Sequence, residues 1–168
     1  SMLTALALIF SLMPAVDDTD CVVIDRDDVQ ITRSCHVHLP ADRAIEDLND
    51  DGVIHIRSSD IVVIIDSGRL RGAADNVAPD TYRGVGVRVN GQRDVTIRGL
   101  RASGFRAGIW ATDADGLAIE DCDVSDNRRD RLLSTPQAEN QSDWLWPHTN
   151  DKHEWLTRYG AGIYIERS

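Results

Sequence analysis

The chain has 168 residues, enough for one domain with a continuous apolar core. Hydrophobic residues make up 42% of it, but only two are phenylalanine, so a slim aliphatic core is expected. The formal net charge is -10, from 28 acidic and 18 basic residues, and no basic stripe or nucleic-acid motif offsets it. These features argue against nucleic acid as a partner and favour an acidic, solvated surface.

Residues 1–16 are predicted to be a signal-peptide-like or N-terminal capping segment. Residues 3–13 are uncharged and largely apolar, and small residues lie near a candidate cleavage point at Ala15 or Val16. The apolar run is too short to span a bilayer, so no membrane contact is predicted. Export to a secreted or periplasmic location is the first expectation. A helix that covers the open end of the core is the alternative.

Residues 17–168 contain one pattern four times, in which a short strand, a turn and a second short strand follow one another. The interval from Val87 to Ile109 equals the interval from Val95 to Leu117. Elsewhere this interval is lengthened by insertions, as between Ile61 and Val95. When insertions are allowed, the earliest unit is aligned with the next one by matching Val29 with Ile61. The last strand is aligned with an earlier one by matching Ile163 with Ile109. The four segments are 22–31, 53–63, 87–97 and 109–119.

Apolar residues two positions apart, such as Val87 and Val89, predict strands with one buried face. Gly and Asp separate these strands, and no segment between them has helical periodicity of useful length. A strand-turn-strand repeat of this kind predicts an all-β solenoid whose coils stack in register. The pattern resembles the right-handed parallel β-helix of pectin-lyase-like proteins over about residues 20–168. The resemblance implies about five coils and a long inserted loop, 126–160, before the last strand.

Two further features bear on packing. Cys35 and Cys122 are predicted to face the core in different coils as small buried residues, since the three cysteines have no metal-binding spacing. Residues 162–168 open a further coil whose strand edge would be bare. End-to-end self-association, or continuation as a longer β-helix, is therefore expected.

The loop 126–160 is the candidate binding site, because loops on a rigid scaffold are where binding residues concentrate. Tryptophan and tyrosine faces suit sugar rings, whereas Asn and Asp side chains supply hydrogen bonds to hydroxyl groups. The alternative is that the tryptophans pack together as a miniature core of the loop. The predicted substrate-binding residues are Trp144, Trp146, Asn150, Asp151, Trp155 and Tyr159.

The same loop holds the candidate catalytic residues. His148 or His153 is a candidate general base, and Arg128 or Arg129 would neutralise a substrate carboxylate. Asp126, at the start of the loop, completes this set. The simpler interpretation is that the histidines order the loop and the arginines pair with local acids. No HExxH pattern is present, so no metal is predicted here.

The resemblance implies a protein that acts on polysaccharides, since pectin-lyase-like enzymes include polysaccharide lyases, glycoside hydrolases and uronan epimerases. The sequence Trp146-Pro147-His148 is similar to the Asp-Pro-His of uronan epimerases, with Trp in place of Asp. The first hypothesis is an exported protein that binds, and cleaves or modifies, an acidic polysaccharide. The alternative is a non-catalytic structural or protein-interaction module. No cofactor is predicted, with calcium in the Asp-rich turns as the alternative.

Overall fold

The computed structural model describes residues 21–143 and 155–168, apart from the side chains of Trp155 and Thr157. The described part is nearly all β, and every pair of named strands in it is parallel. The strands are Cys21–Val23 (β1), Val29–Ile31 (β2), Cys35–His38 (β3), Ile54–Ile56 (β4), Ile61–Ser67 (β5), Leu70–Arg71 (β6), Val85–Asn90 (β7), Val95–Arg98 (β8), Ala102–Ser103 (β9), Ala107–Thr112 (β10), Ala118–Glu120 (β11) and Ala161–Glu166 (β12). Short helical turns cover Pro79–Thr81, Gln141–Asp143 and Trp155–Tyr159. Within these ranges, no helix is long and apolar enough to cross a membrane.

The strands form three parallel sheets. The first sheet has the order β1-β3-β5-β8-β11, the second β2-β4-β7-β10-β12, and the third contains β6 and β9. Successive strands of one sheet are separated in sequence by strands of the others. Each passage of the chain therefore contributes one strand to the first sheet and one to the second, and two passages also contribute a strand to the third.

The constant interval predicted from the sequence is the register of the pairing between successive strands. Val87 lies beside Ile109 in the second sheet, and Thr96 lies beside Ala118 in the first. The longer intervals are also found where they were predicted, since Ile61 pairs with Val95 and Ile109 with Ile163. Insertions therefore leave the strand register intact.

The predicted match between Val29 and Ile61 is wrong. Val29 lies in the second sheet and pairs with Ile54, whereas Ile61 begins a strand of the first sheet. The strand of the earlier part of the chain that pairs with β5 is β3, which begins at Cys35. Strands of both sheets are short and rich in apolar residues, so the sequence pattern does not tell which sheet a segment joins.

The core lies between the sheets and consists mainly of stacked aliphatic side chains, with Phe105 as a fully buried ring. Cys35 is buried in this core as predicted, and Cys122 is half-buried against it. The two are not equivalent positions, because Cys35 pairs with Val63 and the same register leads to Ile97 and then Ile119. Burial raises the pKa of the Cys122 thiol above its ordinary value, which favours the uncharged form of a packing residue.

Two glycines in turns give a matched test of backbone packing. Gly99 has a φ of 76°, and a Cβ at this position would lie 2.7 Å from the carbonyl oxygen of Ile65. Gly91 has a φ of 70°, but a Cβ there would meet nothing within 4 Å. We expect Gly99→Ala to lower the free energy of unfolding by about 3 kcal/mol and Gly91→Ala by about 1 kcal/mol, since only the first adds a backbone clash to the positive φ. Urea denaturation of both variants measures this difference, and equal losses would contradict the packing of Gly99 against the neighbouring strand.

Candidate functional site

A cleft lies where the inserted loop leaves and rejoins the stack of strands. It has a volume of about 580 Å³ and contains both charged and apolar side chains. Its lining residues are Asp80, Arg128, Asp130, Arg131, Leu132, Leu133, Ser142, Asp143, Arg158 and Tyr159. Because residues from both ends of the loop meet here, the cleft is assembled by the fold and not by a single segment.

Two of the predicted site residues, Arg128 and Tyr159, lie together in this cleft. Arg129 lines an adjoining cavity of about 310 Å³, which shares Asp80 with the cleft. Asp126 lines neither cavity; it is exposed, and its backbone oxygen accepts a hydrogen bond from Gly104. The structure thus brings part of the predicted arginine cluster to Tyr159.

The other predicted site residues fall outside the described part of the chain. The backbone of Trp155 begins the turn Trp155–Tyr159, but its side chain is not among those described. Both the backbone and the side chain lie outside the described part for Trp144, Trp146, His148, Asn150, Asp151 and His153. Their proposed roles remain predictions.

Arg128 is held at the junction between the strands and the loop. Its backbone N–H donates to the carbonyl oxygen of Phe105, and its guanidinium donates to that of Tyr82 at 3.4 Å. The returning chain approaches closely, since a Cβ on Gly160 would lie 2.7 Å from the Cβ of Arg128. The rigid core therefore positions the first arginine of the cleft.

Arg158 is a cleft residue that the sequence-based prediction did not include, and Arg131 also lines the cleft. Both are exposed, and the guanidinium of Arg158 lies over the ring of Tyr159, 5.3 Å from its centre. Arg158 and Arg128 stand at opposite ends of the inserted loop, so only the pairing of β12 with β10 brings them to the same place. Leu132 and Leu133 add an apolar surface, with 71% and 52% of their area exposed.

Asp143 orders one wall of the cleft. Its carboxylate accepts hydrogen bonds from the backbone N–H groups of Leu133 and Ser134, at 2.8 Å and 2.6 Å for the closest oxygens. Hydrogen bonding from Ser134 is the main cause that lowers the pKa of Asp143 below its ordinary 3.8. The carboxylate therefore accepts hydrogen bonds from the backbone of its own loop, and these bonds stabilise its negative charge.

The lowered pKa of Asp143 predicts how the cleft responds to acid. A carboxyl group whose pKa is lower in the folded protein than in the unfolded chain stabilises the folded loop in its charged form. This stabilisation is complete at pH values above the pKa of the unfolded chain, and it is lost as the pH falls through the pKa of the folded protein. We expect the amide signals of Leu133 and Ser134 to titrate below pH 3.8 in NMR spectra. In the Asp143→Asn variant this titration should vanish, and a midpoint above 3.8 in the parent protein would contradict the assignment.

A second set of polar and aromatic side chains forms a row across the second sheet. The register aligns, from strand to strand, Gln30, His55, Arg88, Trp110 and Tyr164. The guanidinium of Arg88 stacks on the ring of Trp110, 3.8 Å from its centre, and donates to the hydroxyl of Thr112 at 3.0 Å. Burial lowers the pKa of Arg88 from its ordinary value. Since the guanidinium and one ring face contact each other, we assign this row mainly to stabilising the sheet.

Comparison with known protein families, with characterised proteins and with solved structures finds no match to this chain. The function is therefore inferred from the residues of the protein itself. The cleft is the strongest basis, because it combines arginine, tyrosine and exposed leucine side chains in one concave surface.

Proposed function

We propose that the protein is a right-handed parallel β-helix that binds an acidic polysaccharide in the cleft formed by the two ends of its inserted loop. The parallel sheets support the β-helix, since successive passages of the chain add one strand to the first sheet and one to the second, and two of them also add a strand to the third. Right-handedness is the expected sense, because crossovers between parallel strands are right-handed in about 98% of cases. About five coils account for the strands of the second sheet.

The observation that carries the proposed ligand is the grouping of Arg128, Arg131 and Arg158 beside Tyr159 in a protein of net charge -10. Guanidinium groups bind carboxylates through paired hydrogen bonds, and an aromatic ring packs against the apolar face of a sugar. An acidic sugar offers both features in each residue of its chain. Export, as the first sixteen residues predict, would bring the protein to such polymers.

An enzyme of this type would act on the uronic acid by acid and base catalysis. Arg128 would neutralise the carboxylate, which stabilises the charge that develops when a proton is removed beside it. His148 or His153 would be the base. Loss of turnover in the His148→Ala and His153→Ala variants, with binding retained, would support catalysis; unchanged turnover would exclude both histidines.

The binding proposal is tested with two polymers that differ at the carboxyl group of each sugar. Polygalacturonate and its methyl ester have the same sugar rings, but only the first carries carboxylates. We expect the protein to bind polygalacturonate and to bind the methyl ester at least 10-fold more weakly, as measured by isothermal titration calorimetry. Equal affinity for both polymers, or binding to neither, would contradict the proposed role of the arginines.

A second candidate function is a protein-interaction module, and one observation favours it. Ile163 and Ile165 on the edge strand β12 are 41% and 49% exposed, although their partners Ile109 and Ala111 are fully buried. Apolar residues in core-facing register on an uncovered edge strand favour pairing with another protein surface. Self-association that is lost in an Ile163→Glu variant, measured by light scattering, would support this function.

A further inference from the structure

A second polar cluster lies away from the cleft, at the start of β4. It joins the turn before β2 to the turn before β4, because these two strands are neighbours in the second sheet. Asp28 comes from the first turn, Asp51 from the second, and His55 from β4 itself. The imidazole is only 3% exposed, whereas both aspartates are exposed. The cluster thus combines a buried imidazole nitrogen, which can bind a metal ion, with two carboxylates that solvent can reach.

The geometry brings both carboxylates to the same ring nitrogen. The Nε2 atom of His55 is 3.2 Å from an oxygen of Asp28 and 3.2 Å from an oxygen of Asp51. A charge-assisted hydrogen bond is shorter, about 2.7–2.9 Å. By contrast, ligands about 2.0–2.1 Å from a tetrahedral zinc ion are roughly 3.3 Å apart. All three donor atoms lie within 4.8 Å of one another, so small side-chain movements complete such an arrangement.

A single N–H is also a poor partner for two carboxylates. When Nε2 holds a proton, one hydrogen is shared between two negatively charged oxygens that repel each other. A dication in the place of that proton neutralises both carboxylates and accepts the nitrogen lone pair at the same time. The charge of the cluster therefore matches a divalent cation better than a proton.

The turn 47–52 is already ordered in a way that presents Asp51. Its sequence, DLNDDG, matches the first half of the calcium loop pattern D-x-[DN]-x-[DN]-G, but Ser58 stands where that pattern has its last glutamate. The carboxylate of Asp47 accepts the backbone N–H groups of Asn49 and Asp51, at 3.2 Å and 3.3 Å. The side chain of Asn49 reaches within 3.4 Å of Asp28.

We propose that Asp28, Asp51 and His55 bind a divalent transition-metal ion of the zinc class, with water completing its coordination. An imidazole nitrogen beside carboxylates suits zinc and similar ions, whereas calcium takes oxygen ligands. This site is separate from the cleft and does not depend on the proposed function.

Metal binding has one consequence for the neighbouring Arg57. The guanidinium of Arg57 is now 3.3 Å from Nδ1 of His55, which therefore accepts a hydrogen bond. A neutral imidazole bound to metal through Nε2 holds its proton on Nδ1, so the exposed Arg57 must turn away. Arg57 therefore competes with the metal.

The test is calorimetric titration of the chelator-treated protein with zinc and with calcium. We expect one zinc ion per chain, at least 10-fold tighter than calcium, and at least 10-fold weaker zinc binding in the Asp28→Asn and Asp51→Asn variants. Asp60→Asn is the matched control, because Asp60 is also an exposed aspartate with positive φ but lies outside the cluster. Arg57→Ala should bind zinc more tightly. No zinc binding, tighter binding of calcium, or zinc affinity unchanged in Asp28→Asn and Asp51→Asn would overturn the proposal.

Discussion

Replacing Asn127 with alanine is expected to lower the free energy of unfolding by about 4 kcal/mol. The side chain is only 7% exposed and holds three backbone groups of the core turns. Its oxygen accepts the N–H of Phe105 at 3.0 Å, and its amide nitrogen donates to the carbonyls of Ala102 and Val124 at 3.1 Å and 2.7 Å. Alanine leaves these groups without their partner, and each unsatisfied buried polar group costs about 1–3 kcal/mol.

Urea denaturation followed by circular dichroism measures this loss. Asn90→Ala is the control, since Asn90 is an exposed asparagine at the end of β7. We expect the control to change the free energy of unfolding by less than about 0.5 kcal/mol. A loss below about 1 kcal/mol in Asn127→Ala would mean that water replaces its three hydrogen bonds and that the turns are less tightly packed than described.

The second large effect is expected in the cleft. Arg131→Ala and Arg158→Ala should each weaken binding of polygalacturonate at least 10-fold, because each removes an exposed guanidinium from the cleft lining. We choose these two positions because Arg128 also donates to the backbone of Tyr82, so its removal would disturb the loop itself. The effect should diminish as salt is raised, since the carboxylate-guanidinium attraction at an accessible surface is screened.

Arg26→Ala is the control for the cleft variants. Arg26 is an arginine of the same acidic protein, but its side chain is 75% exposed and pairs with Asp25 near β1. Its removal should leave polygalacturonate affinity within about twofold, while it changes the net charge by the same amount. Equal weakening in Arg26→Ala and the cleft variants would indicate attraction by overall charge instead of a defined site.

The parallel β architecture can be predicted from the sequence because equivalent residues of successive strands are separated by a constant number of residues. An interval that is the same from Val87 to Ile109 as from Val95 to Leu117 requires the turns between them to keep one length, and stacked parallel strands meet that requirement. The first unit is aligned wrongly because Val29 and Ile61 both begin short apolar strands whose first residue is buried. Only the pairing of strands distinguishes the two sheets.

The sites depend on contacts that sequence proximity does not reveal. Arg128 and Tyr159 were selected as members of one loop, and the structure brings them to one cleft. Arg158 gives no separate signal, since its place beside Arg128 depends on the return of the chain into β12. His55 gives no signal in the sequence because a polar residue between two apolar ones is ordinary in a strand, and only the structure shows that this one is buried. Its partner Asp28 is distant in sequence and is brought close by the pairing of β2 with β4.

The most direct test of the central claim is to locate an acidic sugar on the protein by NMR. A short oligogalacturonate should shift the backbone amide signals of residues 128, 130–133 and 158–159, which line the cleft, and leave those of β3 and β5 unchanged. The fully methyl-esterified oligosaccharide should cause at least 10-fold smaller changes at the same concentration. Shifts confined to the strand faces, or an absence of shifts at millimolar oligogalacturonate, would contradict the proposal that this cleft binds an acidic polysaccharide.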